Sequence, residues 1–202
     1  MGELLLCNEA IAAMPYYIEG VSINVYSIEE LNYYIINNTY LLDDDFMSLE
    51  LCTWIENNAH LPKLAMHLRT IISTNGRLSA FVTELLEYSG YCTKEELKNT
   101  HDALKELEEK SEFECLKIRA DRLMEKKKYT AAIFEYKKLL SCEEAKHTER
   151  ELYGNIYHNL ATAYVQLFLF DIAADLYLEA FRQNGDRKSL WSCLYAYKLD
   201  NN

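Results

Sequence analysis

The chain has 202 residues, half of them hydrophobic, and carries 32 Asp and Glu against 21 Lys and Arg, a net charge of −11. This length can bury one large core or two small ones, and with only six glycines and two prolines a turn-rich sandwich or barrel is excluded in favour of a mostly α-helical fold. The negative charge excludes a nonspecific nucleic-acid binder, which depends on Lys and Arg to neutralise phosphates.

Residues 1–42 read as an acidic, Tyr-rich N-terminal segment. The run Leu4 to Cys7 follows Glu3 rather than a basic residue and is too short for a secretory signal. Leu6 stands where myristoylation requires Ser or Thr. Val21, Ile23 and Val25 alternate with Ser22 and Asn24, the period of a short β segment. Met14 to Ile18 offers a hairpin partner, and an extended segment packed on helices satisfies the same pattern. Ser27 and Glu30 have the spacing of a capping box, opening a helix through Leu31, Tyr34 and Ile35 that stops at Asn37 and Asn38.

Residues 43–110 read as four helices paired into hairpins by short connections. Asp43, Asp44 and Asp45 suit the positive end of a helix dipole, and Phe46, Leu49, Trp54 and Ile55 supply its apolar face. A second helix begins near Pro62 and reaches Asn75-Gly76; a third spans Leu78 to Tyr88. Thr93 and Glu96 form a capping box for the fourth, which runs to about Lys110 with Leu97, Leu104 and Leu107 inward.

In residues 111–202 one pattern occurs twice. Ala120, Leu123, Tyr129, Ala132, Tyr136 and Leu139 are followed at identical spacing by Ala161, Tyr164, Phe170, Ala173, Tyr177 and Ala180. The copies stand 41 residues apart, and Ser141 to Leu152 accommodates an extension between them. Trp191, Leu194 and Tyr195 follow Tyr157, Leu160 and Ala161 at a spacing of 34, the start of a further helix. Small residues recurring on both helices of a hairpin, with an aromatic residue at the turn, mark a stacked repeat.

These segments resemble tetratricopeptide repeats. The resemblance implies antiparallel helix hairpins closed by a C-terminal capping helix, with Ala120, Ala161, Ala132 and Ala173 at the small sites. It also implies a concave groove lined by Lys117, Asp121 and Met124 from the first repeat and by Asn155, His158, Asn159, Thr162 and Val165 from the second. Such a groove receives a peptide or a partner's helix; ordinary solvated positions would show the same mixture of residues. The family's carboxylate clamp of Lys, Asn, Asn, Lys and Arg is matched by Lys117 and Asn159 alone. Asp121 replaces the first Asn, and Ser189 and Cys193 replace the last two cations.

No cofactor or metal is expected. His60, His67, His101, His147 and His158 form no H-x-x-x-H or H-E-x-x-H pair, and Cys142, Glu143, Glu144 and His147 lie in a polar extension expected to face water. No phosphate-cradling glycine loop or nucleophile elbow occurs, so no enzymatic activity is expected. The six cysteines, Cys7, Cys52, Cys92, Cys115, Cys142 and Cys193, make no C-x-x-C pair, which favours the reducing cytoplasm. No apolar run approaches the roughly 18 residues of a membrane span, and no membrane partner is expected.

Charge is unevenly placed: residues 1–62 hold ten carboxylates and no Lys or Arg, while the other 140 carry 22 acids and 21 bases. An acidic face including Asp43, Asp44 and Asp45 would attract a basic partner. The expected function is a non-enzymatic adaptor or co-chaperone-like assembly scaffold that binds a protein or peptide. The alternative is a structural or regulatory homodimer paired through the Tyr-rich N-terminal segment.

Overall fold

The computed structural model describes residues 11–200, so the Leu4 to Cys7 run lies outside it. The protein is nearly all α-helical and divides into two compact units, Met1–Glu109 and Lys110–Asn202. The segments on either side of residue 42 therefore belong to one unit.

In the first unit the short β segment is a hairpin. β1 (Tyr16–Ile18) pairs antiparallel with β2 (Ile23–Val25), with Tyr16 opposite Val25 and Ile18 opposite Ile23. Ala12 N–H extends the pairing to Tyr26 O at 2.7 Å. Between the strands the chain makes a 3-10 turn and leaves it through Ser22 at φ 53°. The hairpin is pinned to the helices by Trp54, whose Nε1 donates to Met14 O at 2.8 Å and whose ring lies 5.9 Å from that of Tyr16.

α1 (Ile28–Asn37) opens on Ser27, whose hydroxyl accepts Glu30 N–H at 3.2 Å. Glu30 reaches beyond the cap and accepts Tyr26 N–H at 2.6 Å. α2 (Leu49–Asn57), α3 (Pro62–Ser73), α4 (Leu78–Ser89) and α5 (Lys94–Glu108) follow, each packed on the next. The capping box at Thr93 and Glu96 is formed in both directions, and the bonds from Thr93 hold the Glu96 carboxyl below its ordinary pKa.

The expected helix start at Asp43, Asp44 and Asp45 is corrected. Asp43 caps only a 3-10 turn, Asp44–Phe46, by accepting Phe46 N–H at 3.3 Å. The α-helix begins at Leu49 under a second cap, Ser48, which accepts Leu51 N–H at 3.1 Å. Two caps five residues apart cannot share one helix. The break leaves Leu49 exposed, although Phe46, Trp54 and Ile55 are buried as expected.

The second unit contains α6 (Glu112–Glu125) and α7 (Tyr129–Ser141), then α8 (Arg150–Gln166) and α9 (Phe170–Asn184), each pair an antiparallel hairpin. Ser111 and Glu114 form a complete capping box for α6. The extension between the hairpins is a 3-10 turn, Glu143–His147, with Glu143, Glu144 and His147 exposed and Cys142 partly so. Ala120, Ala132, Ala161 and Ala173 are all 0% exposed. Where a methyl group meets the facing helix, two axes can approach to about 8–10 Å.

α10 (Arg187–Asp200) closes the unit by packing on α9. Its expected register is corrected. Trp191, Leu194 and Tyr195 face outward, and the buried positions are Ser189, Cys193 and Ala196. The bulk of Tyr195 does not suit a small site such as that of Ala161, and on α10 the adjacent Ala196 is buried instead.

Candidate partner-binding site

The two hairpins repeat in hydrogen bonds as well as in side-chain size. Tyr136 O–H of α7 donates to Asp121 of α6; 41 residues on, the hydroxyl groups of Tyr177 in α9 and Thr162 in α8 share a 3.0 Å bond. In each hairpin a buried tyrosine from the second helix thus holds a polar residue of the first, one of those expected to line the groove. Burial, with the Asp121 carboxylate beside it, raises the Tyr136 pKa far above the ordinary phenol value. Burial also raises Tyr177. Both hydroxyls remain neutral hydrogen-bonding groups near neutral pH.

Asp121 is the junction of the site. Its Oδ2 accepts Lys117 Nζ at 2.7 Å, and Oδ1 accepts both Tyr136 and, at 3.4 Å, Asn159 Nδ2 from the next hairpin. The residue that disqualifies a carboxylate clamp therefore joins α6, α7 and α8. His158 Nδ1 shares a 2.9 Å bond with Ser189 Oγ of α10, and its ring meets Tyr177 edge-on at 4.9 Å. Burial first, and the Lys188 charge second, lower the His158 pKa. Thr162 Oγ1 donates within its helix to His158 O at 2.9 Å. Asn155 Oδ1 accepts Asn184 Nδ2 at 3.1 Å.

Of the expected groove residues, Asn155 is exposed, while Lys117, Asp121, Met124, His158, Asn159, Thr162 and Val165 are half-buried. They occupy successive first helices, with Asp121 and Asn159 in direct contact. Their polar groups are tied to one another rather than held open. Ser189 and Cys193, the other clamp positions, are buried and present nothing to a ligand.

In the sequence Tyr136 and Tyr177 stand out only as matching aromatic positions of the repeat, and their hydroxyl bonds were missed. The signal was their shared 15-residue separation from Asp121 and Thr162. Gly154 was also missed: a Cβ there would lie 2.7 Å from Asn184 Cβ and 2.9 Å from Ala180 O, so α8 and α9 approach closely only because it has none.

In the first unit Asp44 and Asp45 are exposed and Asp43 is half-buried in its cap. Tyr17, Tyr26 and Tyr33 are exposed, whereas Tyr34 is buried. Among the described residues no group of three His, Cys, Asp or Glu side chains could hold a metal, and no helix is long and apolar enough to cross a membrane. No family model matches the chain, nor does a curated protein or a solved structure.

Proposed function

We propose that the protein is a non-enzymatic adaptor or assembly scaffold of the tetratricopeptide kind, working in the cytoplasm. The observation that carries this reading is the repetition of one tyrosine-tied hairpin, because stacked hairpins present a continuous surface formed by their first helices. A peptide or partner helix would lie across Lys117, Asp121 and Met124 and then Asn155, His158, Asn159, Thr162 and Val165. Recognition rests on shape and on lone pairs and N–H groups left over from the internal network. Cys52 and Cys193 are buried free thiols, which is consistent with a reducing setting.

The test is a triple substitution, Lys117→Ala, Asn155→Ala and Asn159→Ala, in affinity capture from the native host. A partner bound by the parent should be lost while circular dichroism stays unchanged. Retained capture would move the site out of the groove.

The exposed Tyr17, Tyr26 and Tyr33 favour a second reading, a homodimer through the N-terminal segment, since tyrosine combines a large apolar ring with a wet hydroxyl. Sedimentation equilibrium of the parent and a Tyr17→Ser, Tyr33→Ser variant separates the readings. The dimer requires a parent twice the chain mass and a monomeric variant.

A further inference from the structure

The last helix of the second unit, α10, turns an apolar stripe outward. Trp191, Leu194, Tyr195 and Leu199 recur at helical spacing, and each is at least half exposed. At a spacing of 34, Leu160 and Ala161 of α8 hold the places of Leu194 and Tyr195 and are buried. The difference lies in the neighbours: α8 packs against both α7 and α9, whereas α10 packs on α9 and touches α8 through the bond between His158 and Ser189. A helix that ends a stacked array ordinarily presents a polar outer face, which keeps the array soluble. The outer face of α10 is apolar.

That face is also basic. Arg187 and Lys188 stand four and three residues before Trp191, one turn away on the same side of the helix, and both are exposed. Asp186 is held at the helix start, where it accepts the Lys188 N–H at 2.9 Å. No Asp or Glu occurs from 187 to 199.

The first unit carries a face of the opposite sign. In the β1 and β2 hairpin Tyr17 lies opposite Asn24. Side chains two residues apart share one side of a strand, so Tyr26 continues the side of Asn24. Tyr26 N–H is bonded to the Glu30 carboxylate at 2.6 Å, and Tyr33 follows Glu30 one turn along α1. Tyr17, Tyr26 and Tyr33 are 40–60% exposed, and Glu19 and Glu30 beside them are exposed too. No Lys or Arg occurs in residues 1–62.

We propose that α10 of one copy of this chain docks on the hairpin face of a second copy. Charge selects that pairing. A pair of α10 faces would set cations against cations, and a pair of hairpin faces would set carboxylates against carboxylates. The mixed contact brings Arg187 and Lys188 to Glu19 and Glu30 and lays Trp191 and Tyr195 on the three tyrosines. Half-exposed aromatic rings retain on the order of 100 Å² each, so the two faces together bury roughly 900 Å², the size of a weak and reversible contact. Each copy carries one face of each kind, so the association is head-to-tail and either closes on itself or propagates. It makes no use of the groove, and it differs from pairing of two N-terminal segments, in which like faces meet.

The test is sedimentation velocity of the full chain at concentrations up to about 500 µM, high enough for a contact of this size. The parent should self-associate reversibly, and less so as salt rises. Trp191→Ser with Tyr195→Ser should weaken association at least about tenfold, and so should Tyr17→Ser with Tyr33→Ser. An equimolar mixture of these two variants retains one intact face of each kind and should form a one-to-one complex, which pairing of like faces does not allow. Arg187→Glu with Lys188→Glu places carboxylates where a helix N-terminus favours them, so this variant should melt no lower than the parent while losing association. A parent that stays monomeric overturns the proposal, as does a mixture without a complex. An α10 variant, serine or charge-reversed, that associates like the parent overturns it too.

Discussion

At Gly154 two opposing effects can be weighed. Alanine in a helix interior is about 1 kcal/mol better than glycine, but the new Cβ would press against Asn184 and the Ala180 carbonyl, and crowding costs about 1–3 kcal/mol. Gly154→Ala should therefore be destabilising by about 1 kcal/mol in urea unfolding, opposite in sign to its helix propensity. Ala173, 0% exposed, permits a harsher test. Ala173→Arg adds an unpaired charge to overpacking and should cost more than about 3 kcal/mol; a variant as stable as the parent would place that face in solvent. Alanine spacing made Ala173 legible as a small site. Gly154 was not legible, because its need for a bare Cα depends on where α9 lies.

At the level of elements, the bond between His158 and Ser189 holds α10 to α8. His158 has a folded pKa below its ordinary 6.5, so below that pH the unfolded chain binds the proton more readily than the folded one. The contribution of the buried neutral ring is complete above 6.5 and is lost as pH falls toward the folded pKa. Unfolding free energy should decline on acidification through this window, and His158→Gln should flatten the decline in parallel melts at several pH values. An unchanged slope would assign the acid sensitivity to other groups. Ser27, Thr93 and Pro62 set helix ends through local chemistry and were readable as such. Ser111 and Glu114 carry the same spacing and were overlooked. Asp43 was misread because it and Ser48 both make good caps; the buried Phe46 between them belongs to the 3-10 turn, and the α-helix begins only after Ser48.

Over the whole molecule, charge separates between the two units. Residues 1–109 hold 18 acids and six bases, against 14 and 15 in residues 110–202. A basic partner of the first unit should associate more slowly as salt rises, with little change in dissociation, as electrostatic steering requires. Asp44→Asn with Asp45→Asn should slow association at low salt without disturbing the cap, which belongs to Asp43. Stopped-flow rates indifferent to both salt and substitution would reduce the acidic surface to an aid to solubility. Helix content, hairpin pairing and the repeat of small and aromatic residues were determined by the sequence itself, because periodicity, capping and turn chemistry act over a few residues. The internal ties of Asp121 and the packing of α10 that leaves Trp191 and Tyr195 outward were decided only by the tertiary structure. Each depends on which neighbour a side chain meets across a helix interface, and residues distant in sequence meet only when the chain packs.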